Sequence, residues 1–351
     1  MNKKYCCARC FSDKELKGEI IPGRSVKRGD CSFCKAKNQP IVEPSELFEY
    51  FEALIDVYQP DENGKLLIEW LKEDWILFEH LGPDQTHANT LLGEILNNHE
   101  ITHQRFAPLI PDQSELATTW GKLTTELMHH NRFFPDTKFK HSRLEELFAN
   151  LVFDQSEHYP KWFRARIEED GRCYKPNEMG APPKRVALHG RANPAGIPYL
   201  YLGSTAKTAV TEVRPHPGQI VCVAEFQIES ELQLVDLREP RSLISPFSFL
   251  LRDEESVLPR LRGGDLKFLE SLGQDLAAPV IPTEAAVDYT KSQYLCEFIK
   301  KCYYQGVIYK SSVSEGINLA LFDPDKAMVG QITEYQITGV SVDMNPQEPV
   351  A

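Results

Sequence analysis

A chain of 351 residues with 42% hydrophobic and 26% charged residues has the composition of a folded globular protein of two or three domains. Its net charge of −12 argues against non-specific nucleic-acid binding by the molecule as a whole, yet leaves room for a local arginine cluster that grips a small anion. The opening MNKKYCCARC lacks the apolar core of a signal peptide and no run approaches a membrane span, so a cytoplasmic location is expected.

Residues 1–40 carry Cys7-Ala-Arg-Cys10 and Cys31-Ser-Phe-Cys34. Two such pairs can close a tetrahedral shell of four thiolates around a structural zinc ion, with Cys6 as an alternate ligand. Nine cysteines with this spacing suit a reducing compartment, where they remain thiols or metal ligands. Ten Lys or Arg against four Asp or Glu make this knuckle basic, which keeps a small module soluble and could also touch an acidic partner.

Residues 41–158 predict an all-α domain. Pro44-Ser45 opens a helix with Leu47, Phe51, Leu54, Ile55 and Tyr58 inward; a second runs from Lys65 to Glu79 over Leu67, Trp70, Leu71 and Trp75. Ser114 to His130 and Ser142 to Val152 give two more. His99-Glu100-Ile101-Thr102-His103 spells the HExxH of a zinc peptidase, but the asparagines before it and Gln104-Arg105 after it mark a helix end, and no third ligand follows. A peptidase is therefore disfavoured.

Residues 159–342 mix strands and short helices without strict alternation, which predicts an α+β fold; residues 343–351 form a tail. The central stretch is Gly190 to Pro217. Ile197 to Gly203 predicts a strand, Ser204 or Thr205 caps a helix, and Pro215 stops it. Glu212 projects roughly 120° from that helix's apolar stripe, where a carboxylate can face the strand carrying Tyr201. Gln219 to Ile228 alternates as a strand with Ile220, Cys222, Ala224, Phe226 and Ile228 on one face, and Leu232 to Leu237 follows it. Arg241 to Pro279 reads as helices and turns. Ser292 to Cys302 predicts a helix, and Val307 to Tyr309, Ile317 to Phe322 and Thr333 to Val342 predict strands. No GxGxxG, Walker loop or GxSxG occurs, which sets aside ordinary dehydrogenases, NTPases and esterases.

The Gly190-Arg191-Ala-Asn193-Pro turn, the Leu-Tyr strand and the helix ending in Glu212 resemble the RES domain, a family named for an arginine, a glutamate and a serine. A second matching block is Asp288-Tyr-Thr-Lys-Ser-Gln-Tyr followed by Gly306-Val-Ile-Tyr-Lys-Ser-Ser-Val-Ser-Glu-Gly, so the resemblance extends over about Trp162 to Val342. It implies an ADP-ribosyltransferase-like fold and an NAD+-degrading enzyme, an NAD+ phosphorylase or glycohydrolase, of the toxin–antitoxin kind. The helical segment in turn resembles, by its position, the HEPN-type domain that precedes some RES domains, although it shows no arginine-to-histidine motif of HEPN ribonucleases.

Carried over by the resemblance, Arg164 and Arg191 hold substrate phosphate or an attacking phosphate, Tyr201 stacks on nicotinamide or ribose, and Glu212 is the catalytic carboxylate. Ser311 is the family serine with Ser312 its register alternative, and Asn193, Tyr289 and Gln293 support the substrate. The chemistry is coherent: arginines bind phosphate bidentately, and a carboxylate stabilises the positive charge that grows at an anomeric carbon. Nicotinamide leaves as a neutral molecule, so one carboxylate suffices where glycoside hydrolases use two. The partners this allows are NAD+, inorganic phosphate as co-substrate, an antitoxin or inhibitor protein, and a second copy of the chain. ADP-ribose transfer to a macromolecule is the nearest alternative activity, and a non-catalytic binding module recruiting a partner through the knuckle is another.

Overall fold

The structure, a computed structural model, describes residues 3–78, 85–110, 114–154, 161–281 and 283–341. The chain divides into two compact units. The first comprises Met1–Leu123, Thr137–Lys140 and Glu239–Ser271; the second comprises Thr124–Asp136, His141–Arg238 and Leu272–Ala351. Residues 41–158 are thus distributed between the two, and Glu239–Ser271 joins the first unit although it lies within the segment 159–342. The tail 343–351 and Val342 fall outside the described residues, as does Glu79.

In the first unit, β1 (Cys6–Cys7), β2 (Lys27–Gly29) and β3 (Gln39–Val42) make an antiparallel sheet in the order β1-β3-β2. Helices Phe48–Ile55 and Leu67–Trp75 bury Phe51, Leu54, Ile55, Leu67, Leu71 and Trp75, as the one-face spacing predicts. The expectation of an all-α segment does not hold, because β4 (Tyr58–Leu66) pairs antiparallel with β5 (Arg105–Pro108). Tyr58 therefore opens a strand instead of closing a helix. The sequence YQPDENGKL shows no alternation; its pairing rests on the backbone. Gly64 permits it, since a Cβ there would lie 2.0 Å from the carbonyl oxygen of Phe106. Trp70 Nε1 donates to that same oxygen at 2.7 Å.

Buried ion pairing brings the 239–271 segment into this unit. Arg262 Nε donates to Asp74 Oδ2 at 2.8 Å, and the Tyr58 hydroxyl donates to the same oxygen at 2.8 Å. Arg241 grips Glu270 with two bonds of 2.8 and 3.0 Å and reaches the Asp74 carbonyl at 2.9 Å. Charges this deep persist only when paired and hydrogen-bonded, as they are here.

The second unit holds a seven-stranded sheet of β6 (Trp162–Ile167), β7 (Leu200–Gly203), β8 (Ile220–Ile228), β9 (Leu234–Asp236), β10 (Gly306–Lys310), β11 (Ile317–Leu321) and β12 (Ala327–Gln336). The order is β12-β8-β6-β7-β11-β10-β9, antiparallel throughout except for β9 beside β10. With the helices Ala206–Glu212 and Ala285–Lys301 this is the α+β class expected. Cys222, Ala224, Phe226 and Ile228 share one face of β8 as the alternation predicts, and Val221 and Val223 are buried on the other, so both sheet faces are covered. Trp162, Leu200, Leu202, Cys222, Ala224 and Leu319 pack on one face, and Ala165, Ala209, Val221 and Val223 on the other. Cys173 and Cys222, 49 residues apart, form a disulfide where thiols were expected. No local spacing marks that pair; only the fold brings the partners together.

Candidate active site

The helix Ala206–Glu212 begins where β7 ends. Thr205 caps it, its side chain accepting from the Thr208 amide at 3.0 Å. Gly203 lets the first turn settle onto the strand, since a Cβ there would lie 2.9 Å from the Ala209 nitrogen. Glu212, the last helical residue, is exposed. Its Oε1 accepts two hydrogen bonds, from Ser311 Oγ at 2.8 Å and from Asn318 Nδ2 at 2.6 Å.

Those donors come from the far end of the unit. Ser311 follows β10, Asn318 lies in β11, and the β10–β11 hairpin sets β11 against β7 with Asn318 opposite Gly203. The loop between them is pressed onto the helix. Ser314 Oγ bonds Thr208 Oγ1 at 3.2 Å, and a Cβ on Gly316 would lie only 2.0 Å from that same oxygen. Of the two register alternatives, Ser311 is the serine that meets Glu212; among the described residues Ser312 makes no bond to the carboxylate.

The Gly190–Pro194 turn is built against the same sheet face. The Tyr201 hydroxyl donates to Asn193 Oδ1 at 2.7 Å and accepts from the Ala192 amide at 2.9 Å. Asn193, 4% exposed, turns its amide to the carbonyls of Leu188 at 3.0 Å and Ile197 at 2.9 Å. Gly190 is required because a Cβ would sit 2.5 Å from Asn193 Oδ1 and 2.6 Å from the tyrosine hydroxyl. The polar groups of Asn193 and Tyr201 are thus taken up in shaping the turn. Burial pushes the Tyr201 phenol well above its ordinary pKa, so it stays neutral. Tyr201 pairs with Ala320, two residues from Asn318 on β11, so the turn it holds and the carboxylate Asn318 holds share one face.

The helix Ala285–Lys301 secures the turn from its other side. Ser292 Oγ donates to the Arg191 carbonyl at 2.6 Å and Gln293 Nε2 to the Gly190 carbonyl at 2.8 Å. The Arg191 guanidinium lies 5.4 Å from the centre of the Tyr289 ring and donates to the Ala278 carbonyl. Arg164, on β6 where that strand meets β7 through the single register pair Phe163–Gly203, donates to the Tyr201 carbonyl at 3.3 Å. Its Nε is buried without a partner, and burial with Arg166 nearby lowers its pKa to about 10. Among the described residues neither arginine pairs with a carboxylate. Arginines without an acid partner are suited to an anionic ligand.

Asn318 and Ser292 are missing from the sequence-based set. Asn318 is 7% exposed in the otherwise apolar INLAL strand, and a polar residue in such a strand was its one available signal.

In the first unit the four Sγ atoms of Cys7, Cys10, Cys31 and Cys34 lie within 4.8 Å of one another, with Cys7–Cys34 at 3.5 Å and Cys10–Cys31 at 3.3 Å. Tetrahedral bonds of about 2.3 Å put thiolates about 3.8 Å apart, so the quartet fits zinc with a small adjustment. Cys6 is buried outside this group. The HExxH stretch lies on a 3-10 turn, Ile101–His103, with His99 and His103 exposed, and does not form a ligand pair on an α-helix.

The second unit is an α+β domain whose sheet carries a carboxylate held by two hydrogen bonds and, on the strand β6 and the Gly190–Pro194 turn, two arginines that pair with no carboxylate among the described residues. The model of the RES domain matches residues 161–338, about half of the chain, and the protein belongs to that family. No curated protein matches it. Among solved structures it is similar to a chain in the crystal structure of the M. tuberculosis MbcT–MbcA toxin–antitoxin complex, with 12% identity, 56% of this chain and 93% of that chain covered, and a TM-score of 0.31. Among the described residues, no helix is long and apolar enough to cross a membrane.

Proposed function

We propose that this protein consumes NAD+ by breaking the nicotinamide–ribose bond. The observation that carries the reading is the doubly bonded Glu212: Ser311 and Asn318 hold Oε1, which leaves Oε2 without a partner among the described residues. As the C–N bond lengthens, its electron pair moves to the nicotinamide nitrogen, and that ring leaves uncharged. The free carboxylate oxygen stabilises the cationic sugar carbon left behind. Arg164 and Arg191 hold the diphosphate, and an oxygen of inorganic phosphate or water then bonds the sugar carbon, releasing its proton to solvent. Phosphorolysis and hydrolysis share every residue named here, so the acceptor is decided by which nucleophile the arginines admit.

The ADP-ribosyltransferase-like fold and the toxin–antitoxin kind of enzyme that the family resemblance implies suit the same reaction and an inhibitor protein that restrains it. We place a structural zinc ion on the four cysteines, where a closed thiolate shell would stabilise the small β1–β3 sheet without taking part in catalysis.

The test is direct. Purified protein is incubated with NAD+, with and without phosphate, and products are separated. Nicotinamide with phosphorylated ADP-ribose supports phosphorolysis; nicotinamide with ADP-ribose in both conditions supports hydrolysis. Glu212→Gln should lower the rate by at least about a hundredfold. Intact NAD+, or a fully active Glu212→Gln enzyme, would remove the proposal.

A further inference from the structure

Tyr309 stands on β10 directly opposite Asn318 and two residues before Ser311, the two donors that hold Glu212. Strand alternation therefore places all three side chains on one face of the sheet. Cross-strand partners of this kind have Cβ atoms about 5 Å apart, which puts the tyrosine ring beside the carboxylate's support.

The ring is 4% exposed, yet the hydroxyl makes no hydrogen bond to any described residue, and its oxygen is not sealed from solvent. This is unusual for a buried tyrosine, whose hydroxyl ordinarily finds a partner. Tyr201 in the same sheet shows the ordinary case, with its hydroxyl bonded at both ends.

Building on the proposed NAD+ chemistry, we infer that Tyr309 is a further catalytic residue, whose phenol hydrogen-bonds the ribose hydroxyl vicinal to the bond that breaks. The surroundings select that ligand atom. Arg191 and Glu212 both act on this phenol, and burial together with Tyr201 and Glu212 keeps it neutral. A neutral hydroxyl beside an anionic carboxylate is poorly suited to phosphate, which the arginines serve. It is well suited to an uncharged hydroxyl that can both donate and accept. If Glu212 faces the anomeric carbon, the nearest such group on the substrate is the hydroxyl on the adjoining sugar carbon.

The test is Tyr309→Phe, which keeps the ring and removes only the oxygen. Since that oxygen has no protein partner, the unfolding midpoint of the free protein should be unchanged or higher. kcat/KM for NAD+ should fall roughly ten- to a hundredfold, the range of a single hydrogen bond made in the transition state. With the dinucleotide analogue lacking the vicinal ribose hydroxyl, wild type and variant should react at the same rate, which isolates the pairwise contact. Undiminished turnover of NAD+ by the variant, while the wild type releases nicotinamide, overturns the assignment and leaves the reaction standing. An equal loss on the deoxy analogue also overturns it, as does a fall in the unfolding midpoint. A wild-type protein that releases no nicotinamide overturns the reaction and the assignment together.

Discussion

Asn318→Asp probes the site most sharply. It preserves side-chain shape but turns the donor 2.6 Å from Glu212 Oε1 into a second carboxylate. At that separation two unit charges repel by about 1.6 kcal/mol at the dielectric of water and by about 6 kcal/mol at the effective value near a protein surface. Asn318 is 7% exposed while Glu212 is open to solvent, so the true repulsion lies between these limits. Even the lower figure corresponds to about one pKa unit, and the two carboxyls then share a proton in coupled steps.

The proposed reaction requires an ionised acid. The acid limb of kcat/KM for nicotinamide release should therefore move upward by at least about one pH unit in Asn318→Asp. Asn318→Ala, which removes one bond to a charged acceptor, should lose roughly ten- to a hundredfold in rate with a much smaller displacement of that limb. Initial rates between about pH 4 and 9 distinguish the two. An Asn318→Asp enzyme whose limb stays within about 0.3 units of wild type would mean that Asn318 does not set the carboxylate, and the reasoning from the hydrogen bond fails.

Three further outcomes are expected. Gly316→Ala places a methyl 2.0 Å from Thr208 Oγ1, so the 311–316 loop must lift. The cost in thermal unfolding should be about 1–3 kcal/mol, with nicotinamide release falling at least tenfold as Ser311 leaves Glu212. Tyr58, Tyr199, Tyr201 and Tyr309 have phenols held above their ordinary pKa by burial, so above about pH 10 the unfolded chain releases protons that the folded one keeps. Stability should fall as pH rises through that value, and the phenolate absorbance of these four tyrosines should appear only as the protein unfolds. Metal analysis should find about one zinc per chain, sharply reduced in Cys31→Ser; unchanged metal in that variant would point to other ligands.

Features written in local spacing were legible in the sequence. The Thr205 cap, the helix after β7 and the cysteine quartet each depend on residues close together or on a recurring spacing. Features created by distant backbone approach were not. β4 lacks alternation because its pairing is fixed by Gly64 and the Phe106 carbonyl. The 239–271 segment reads as undifferentiated helix and turn, and what assigns it to the first unit is Asp74, which lies 188 residues from Arg262 along the chain. The Cys173–Cys222 bond is invisible for the same reason.

At the candidate site the same division separates residues that shape the backbone from residues with bonding capacity to spare. Motif resemblance gathers Asn193, Tyr201, Arg191 and Glu212 from one short stretch and gives every one of them a role toward the substrate. In the folded unit, Asn193 and Tyr201 satisfy each other and the turn, so their substitution should disturb the position of Arg191 before it disturbs any contact with substrate. Arg164 Nε, by contrast, keeps a donor unused, and Glu212 keeps an unengaged oxygen. A buried donor without a partner costs stability, and a ligand that supplies its acceptor recovers that cost. Two unused groups in this unit are thus a cationic donor, Arg164 Nε, and an oxygen of the Glu212 carboxylate. In the proposed reaction, the first would serve the anionic diphosphate and the second the sugar carbon that becomes positive.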